Sequence, residues 1–180
     1  RRVLFRSLRA SPVNPVQIQP AAPDDLPAIR DLAAVIWHAH YPGIISVAQI
    51  DYMLARMYDL ETLRREVESK GVRFEKLLVG GALAGFASYG PVEPPGTWKL
   101  HKLYLLPAHQ GRGLGSHLLQ HCERAARSLG AVRLILNVNK RNAQAIRAYE
   151  RNGFSVAESV VLELGNGYVM DDFVIAKSLA

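Results

Sequence analysis

The sequence predicts a mixed α/β (α+β) domain: a mostly antiparallel, twisted sheet of six to seven strands flanked by four to five helices. Three observations predict it. Apolar residues recur at helical spacing up to Gly71 and then at strand spacing. The glycine-rich stretch HQGRGLG (109–115) joins a strand to a helix, as in a βαβ crossover. The chain closes with two apolar runs around GNG (165–167), which is typical of a hairpin.

The region before Gly71 is expected to contain a short strand at 16–19 and then two or three helices. The first helix starts at Asp24 or Asp25, with Pro27 in its first turn. The second begins at a Ser46 cap, and a third would end at Gly71.

The second half alternates strands and helices around the glycine stretch. Strands are expected at 73–79, 82–89 and 97–106, the last one stopped by Pro107. Helices follow at about 113–129 and 142–152. Between them, VRLILNVN (132–139) is too apolar for an edge strand and is expected at the centre of the sheet. The predicted order is therefore strand, two or three helices, three strands, helix, strand, helix and hairpin.

Composition limits the protein class. Of the 180 residues, 49% are hydrophobic and 21% charged, the balance of a globular domain that could bury a full core. No apolar run reaches the roughly 20 residues of a membrane span. The single cysteine, Cys122, excludes an internal disulfide and predicts a cytoplasmic protein.

The N-terminus is set apart by its charge. Four arginines in the first ten residues supply four of the six net positive charges. Residues 1–14 are therefore predicted to be a disordered extension or a cloning or sequencing remnant, and residues 15–180 a single domain. The pI of about 9.7 raises a nucleic-acid-binding alternative. Since the remainder is only mildly basic, we expect no nucleic-acid partner and no membrane partner.

A strand that runs into a glycine-rich turn and a helix is suited to binding phosphate, because glycines allow close approach and the helix N-terminus presents free N–H groups. A P-loop would need Lys before Ser116, and the dinucleotide fingerprint would need glycine at Ser116. The pyrophosphate of coenzyme A is the third candidate.

The residues here resemble the GNAT superfamily of N-acetyltransferases. Gln110 and GRGLG match the signature Q/R-x-x-G-x-G/A, and NAQAIRAYERNGF (142–154) matches N-x-x-A-x-x-x-Y-x-x-x-G-F. The resemblance covers about residues 16–178. It implies acetyl-CoA as co-substrate, a primary amine of a small molecule as acceptor, and direct attack in a ternary complex without metal. It further suggests a bacterial branch that includes polyamine acetyltransferases, and it leaves a homodimer open.

The resemblance also implies which residues bind the coenzyme. Main-chain N–H groups of the loop would hold the pyrophosphate, Leu105 would pair with the pantetheine arm, and Gln110 would lie at the loop entrance. The expected coenzyme contacts are Leu105, Gln110, Gly111, Arg112, Gly113, Leu114, Gly115, Ser116, Asn137, Asn142 and Tyr149.

Three residues are expected to act in catalysis. By the family's pattern, the N–H of Leu103 would stabilise the charge that develops on the thioester oxygen, and Tyr149 would protonate the departing thiolate. The strand WKLHKLYL lacks the glutamate that many family members use as base. Strict alternation would place Lys99, His101 and Leu103 on one face, so His101 is the predicted base. Glu93, Asp171 and Asp172 are alternatives.

The acceptor amine is expected to contact Trp37, Tyr41, His101 and Asp171, because family specificity usually comes from the early helices and the final hairpin. No metal motif is present, since His38 and His40 are not four residues apart. Cys122 lies mid-helix and is not expected to carry an acyl group. A protein or peptide N-acetyltransferase and a non-catalytic acyl-CoA-binding module are the alternative functions.

Overall fold

The computed structural model describes residues 15–180, so the predictions made for residues 1–14 lie outside the described part of the chain. Seven strands form one sheet, which five α-helices flank. The strands are β1 (Val16–Pro20), β2 (Arg73–Val79), β3 (Ala82–Val92), β4 (Thr97–Leu105), β5 (Arg133–Asn139), β6 (Ser155–Gly165) and β7 (Tyr168–Ser178). The helices are α1 (Leu26–His40), α2 (Val47–Met57), α3 (Leu60–Lys70), α4 (Leu114–Ser128) and α5 (Ala143–Arg151).

The strand order is β1-β2-β3-β4-β5-β7-β6, and the predicted mixed α/β fold is confirmed. Every neighbouring pair is antiparallel except β4 and β5, the two strands that the α4 crossover joins. β5 lies between β4 and β7, the interior position that its apolar sequence predicted. Three helices precede β2, the higher of the two numbers that the sequence left open.

Local sequence signals explain where the early helices start and stop. The Ser46 side chain accepts a hydrogen bond from the N–H of Gln49 and caps α2. Asp59 caps α3 in the same way, through the N–H groups of Glu61 and Thr62. Gly71 ends α3 in the left-handed conformation, which glycine adopts without strain.

The sheet separates two hydrophobic cores. One core packs α4 against the sheet, through side chains that include Leu100, Leu118 and Leu134. The other packs α1–α3 against the opposite face, with Trp37 and Phe86 among its members. The sheet therefore has an α4–α5 face and an α1–α3 face, and a ligand between two separated strands can be reached from both.

β4 and β5 separate soon after they meet. Their pairing covers only three positions, from Thr97 opposite Arg133 to Lys99 opposite Ile135. Beyond that point the remaining residues of β4 and β5 have no partner across this edge. The centre of the sheet thus contains a gap, and the glycine stretch lies at the end of β4 that borders it.

Candidate active site

A groove of about 690 Å³ runs along this gap. Its walls come from β4, the glycine stretch, the ends of α4 and α5, β5, and α1 and α2 on the opposite face. Of the residues predicted for the site, those that line the groove are Trp37, Tyr41, His101, Leu103, Leu105, Gln110, Gly111, Gly113, Gly115, Ser116, Asn137, Asn142 and Tyr149. Arg112, Leu114 and Asp171 do not line it.

The glycine stretch forms a turn whose geometry suits an anion. Gly111 and Gly113 have φ angles of 71° and 76°, and a Cβ at either position would meet no atom within 4 Å. Gly113 is the N-cap of α4, and the first intrahelical bond runs from the N–H of His117 to its carbonyl. The N–H groups of the preceding residues of α4 therefore have no partner within the helix, and the positive end of the helix dipole points at this turn.

The free edge of β4 offers a second set of backbone groups. The N–H of Leu106 donates to the carbonyl of Ala84 in β3 at 2.9 Å. Because backbone groups alternate in direction along a strand, those of Leu103 and Leu105 point the other way, into the gap. In agreement, the carbonyl of Leu105 accepts a hydrogen bond from Nε2 of Gln110 at 3.1 Å instead of one from β3. An extended ligand in the gap can pair with this edge as an added strand does.

Tyr149 reaches the groove from α5. The Asn142 side chain caps this helix by accepting from the N–H of Ala145, and Nδ2 of Asn142 lies 3.0 Å from a ring nitrogen of His40. The Tyr149 ring packs edge-on against Phe154, with the ring centroids 5.8 Å apart. Burial raises the pKa of the Tyr149 phenol, so the phenol keeps its proton at neutral pH.

A hydrogen bond links the glycine turn to α5. Nδ2 of Asn152 donates to Oγ of Ser116 at 2.9 Å and to the carbonyl of Ala148 at 2.8 Å. The first turn of α4, which follows the glycine turn, is therefore tied to the helix that carries Tyr149. Asn152 is not among the residues predicted for the site, although it lies beside Gly153 in the matched motif.

Aromatic side chains line the α1–α3 face of the groove. Trp37 and Tyr41 are buried, and their ring centroids lie 4.7 Å apart. The Tyr41 and Tyr104 hydroxyl oxygens are 3.2 Å apart. Both predicted acceptor contacts are therefore wall residues that belong mainly to the hydrophobic core.

His101 lies at an irregularity in β4. Tyr89 of β3 pairs with Leu100 while Ser88 pairs with Lys102, so His101 is the extra residue of a β-bulge. Leu100 and Leu103 both pack on the α4 side although they are three residues apart. The alternation that put Lys99, His101 and Leu103 on one face is therefore wrong across this bulge, yet all three line the groove.

The surroundings of His101 keep its imidazole neutral. Burial, followed by the charges of Lys102, Lys99 and Lys70, lowers the pKa of His101 to about 4. A neutral ring can accept a proton at pH 7, but nearby lysines disfavour the imidazolium that results. His101 therefore lies in the groove, where a base is needed, and its ring is free to accept a proton. Its low pKa, however, makes it a weak base.

This pKa predicts an acid-sensitive stability. Between pH 6.5 and about 4, His101 takes up a proton in the unfolded chain and not in the folded one, so the free energy of unfolding falls as the pH falls through this window. We expect His101→Gln to reduce this fall in the free energy of unfolding by about 2 kcal/mol. That is less than the free energy equivalent to the full pKa shift, because the ring is partly exposed. Urea unfolding of both proteins at pH 7.5 and at pH 4.5 measures the fall.

His38→Gln is the control of opposite sign. A backbone bond to Ala34 and the carboxylate of Asp51 raise the pKa of His38, so its contribution to stability is present at low pH and lost on the alkaline side. His38→Gln therefore cannot reduce the fall in the free energy of unfolding between pH 7.5 and 4.5. If His101→Gln leaves that fall unchanged as well, the His101 ring takes up its proton in the folded protein as it does in the unfolded chain.

The two hairpin acids occupy different environments. Asp171 is exposed, and its carboxylate pairs with Lys140 outside the groove. Asp172 is only 4% exposed, lines the groove, and has a buried Oδ1 without a hydrogen-bond partner. The predicted acceptor contact Asp171 thus lies outside the groove and Asp172 lies in it, because adjacent residues of a strand point to opposite faces.

The remaining predicted residues lie beside the groove or away from it. Arg112 and Leu114 alternate with the three glycines of the turn; the Arg112 side chain is exposed and that of Leu114 packs against the core on the α4 face. Cys122 is fully buried in the core on the α4 face, and burial raises the pKa of its thiol. Glu93 also lies outside the groove.

This arrangement agrees with comparisons to known proteins. The family model described as Acetyltransferase (GNAT) family matches residues 32–154. The chain belongs to the GNAT acetyltransferase family. Membership confirms the expected enzyme class, an acyltransferase, and its co-substrate, acetyl-CoA.

The similarity of this GNAT protein to two relatives covers almost the whole chain. The chain is 24% identical to a spermidine N(1)-acetyltransferase of Thermoplasma acidophilum, over 87% of this chain and 96% of the relative. The solved structure of PaiA N-acetyltransferase from the same organism, in complex with coenzyme A, superimposes with a TM-score of 0.77 at 26% identity, covering 91% and 99% of the two chains.

A third relative is similar over a shorter stretch. An L-methionine sulfoximine/L-methionine sulfone acetyltransferase of Salmonella typhimurium is 34% identical over 42% of this chain and 46% of the relative.

Within residues 15–180, no helix has the length and hydrophobicity that crossing a bilayer requires. In the same range, no group of three His, Cys, Asp or Glu side chains is placed as a metal site would need.

Proposed function

We propose that this GNAT protein transfers the acetyl group of acetyl-CoA to the primary amine of a small molecule, by direct attack in a ternary complex. One observation carries the proposal. A single groove passes through the sheet, with the glycine turn on the α4–α5 side and a polar, aromatic wall on the α1–α3 side. The donor and acceptor can therefore enter from opposite faces and meet in the gap between β4 and β5.

The described residues fit acetyl-CoA. The open space at Gly111 and Gly113 and the free N–H groups of α4 suit a pyrophosphate. The free edge of β4 at Leu105 suits the amide-bearing pantetheine arm, with Gln110 already bound to this carbonyl. Asn142 and Tyr149 then border the thioester end.

The residues at the gap have distinct chemical tasks. When bound, acetyl-CoA supplies an activated thioester. The N–H of Leu103 points into the gap, where it can stabilise negative charge on the carbonyl oxygen; such a donor contributes about 2.7–4 kcal/mol to a transition state. Tyr149 holds a phenolic proton that it can donate to sulfur, and the neutral His101 or the carboxylate of Asp172 can accept the proton of the amine.

The acceptor end of the groove is roofed, which favours a small molecule over a polypeptide. α2 is tied to the β6–β7 hairpin by three hydrogen bonds: Nε2 of Gln49 to the carbonyl of Val169 at 2.7 Å, and Tyr52 and Arg56 to the carbonyl of Leu164 at 2.9 and 2.6 Å. The names of the spermidine and methionine sulfoximine relatives both denote small molecules with a primary amine.

The first test is thiol release from acetyl-CoA by the purified protein with a panel of spermidine, spermine, amino acids, aminoglycosides and a lysine peptide. Release that depends on a small amine supports the proposal. Release with the peptide alone would favour a protein acetyltransferase. Tight coenzyme binding without release on any amine would favour a non-catalytic acyl-CoA-binding module.

A further inference from the structure

Two charged side chains on the acceptor side of the groove have no ion-pair partner among residues 15–180, although a side-chain hydrogen bond joins Asn137 to the carboxyl of one of them, Asp172. Asp172 is 4% exposed and its Oδ1 lacks a hydrogen bond. Lys99 is half-buried, and among residues 15–180 it forms neither a hydrogen bond nor an ion pair. Their burial disfavours both charges, so the pKa of Asp172 is raised and that of Lys99 is lowered.

Both side chains lie on the same face of the sheet, on the two sides of the gap. Lys99 pairs in register with Ile135 and Asp172 pairs with Asn139, and these two β5 residues are four apart. Residues separated by an even number of positions share a face of a strand. The distance between the two charged groups exceeds that of an ion pair, which leaves room for a ligand between them.

The other two charged side chains that line the groove on this face neutralise each other, and Lys70, whose charge reaches His101, does not line the groove. Nζ of Lys102 donates to both carboxylate oxygens of Glu66, at 2.9 and 2.7 Å. Lys140 is paired with Asp171. The histidines that line this side are His101 and His40, and burial lowers the pKa of both.

One positive and one negative group therefore remain to meet an acceptor. We propose that the acceptor amine carries its own carboxylate, as an α-amino acid does, with the ammonium group at Asp172 and the carboxylate at Lys99. This inference rests on the proposed function and narrows its acceptor to a zwitterion. A polyamine fits less well, because each additional ammonium group would need a further unpaired acid and would be repelled by Lys99.

The test compares matched acceptors on the full chain with saturating acetyl-CoA. A panel of L-amino acids is assayed, each beside its own primary carboxamide, which keeps the amine and lacks the carboxylate; spermidine is included. We expect the best amino acid to exceed its carboxamide and spermidine at least tenfold in kcat/KM. Lys99→Met should raise KM for the amino acid at least tenfold and leave KM for the carboxamide within about twofold; any change in kcat that follows from the altered charge beside His101 should be shared by both substrates.

Two further variants separate recognition from folding. Asp172→Asn should reduce kcat/KM for the amino acid and the carboxamide alike, because both present the same ammonium group. Lys140→Met removes a lysine that lies outside the groove and should leave kcat/KM unchanged for both substrates. Only a contact with the carboxylate makes the effect of Lys99→Met depend on the substrate, so a general structural defect cannot imitate it.

The outcomes are distinguishable. Preference for spermidine or for carboxamides, or an equal rise in KM for both substrates in Lys99→Met, would overturn the zwitterion inference while the amine acetyltransferase proposal stands. Absence of thiol release with every amine would overturn both. A substrate preference that disappears in Lys99→Met alone supports the inference.

Discussion

Tyr149→Phe is expected to lower kcat about a hundredfold to a thousandfold while the Kd for acetyl-CoA changes less than twofold. The substitution removes one hydroxyl group and leaves the ring against Phe154, so the walls of the groove and the packing of α5 are preserved. What disappears is the proton for the departing thiolate, and general acid catalysis contributes about 10²–10⁴ in rate. The raised pKa of Tyr149 keeps this proton in place at the pH of the assay.

The measurement is steady-state thiol release with the best amine, together with calorimetric titration of acetyl-CoA. Tyr168→Phe is the matched control, since its ring packs on Tyr52 outside the groove and should leave kcat unchanged. Equal kcat for Tyr149→Phe and the wild type would remove Tyr149 as the acid. A parallel loss of coenzyme affinity would instead assign it a role in binding.

The coenzyme half of the site could be predicted because it depends on local sequence. A turn at positive φ needs glycine, the start of a helix supplies free N–H groups, and the Asn142 cap with Tyr149 seven residues later fixes a position on one helix. Such features are encoded within a few residues. The crossover itself also follows from the sequence, since a helix between two strands joins a parallel pair, but the separation of β4 and β5 after three paired positions was not predicted.

The acceptor half was harder to predict because it depends on the faces of strands. A single bulge at His101 changes which face the flanking residues of β4 occupy, and no residue in WKLHKLYL signals it. Asp171 and Asp172 are chemically identical in the sequence. Which of them points into the groove is decided by the register between β7 and β5, which the sequence does not contain.

Gly113→Val is expected to raise the Kd for acetyl-CoA at least a hundredfold. Gly113 has a φ of 76° and no atom lies within 4 Å of its Cβ position, so a valine side chain would extend into the space in front of α4 where the pyrophosphate is proposed to bind. A hundredfold weaker binding corresponds to about 2.7 kcal/mol. Isothermal titration of acetyl-CoA gives this value directly.

The same substitution also strains the backbone, and this effect must be separated from the loss of binding. A β-branched residue at positive φ costs about 1–3 kcal/mol of stability wherever it is placed. Gly130→Val supplies the comparison: Gly130 has a φ of 91°, open space around its Cβ position, and a place at the far end of α4, outside the groove. Both variants should lose similar stability in urea unfolding, and only Gly113→Val should lose coenzyme affinity. Retained affinity in Gly113→Val, or an equal loss in Gly130→Val, would mean that the glycine turn shapes the start of α4 without holding the pyrophosphate.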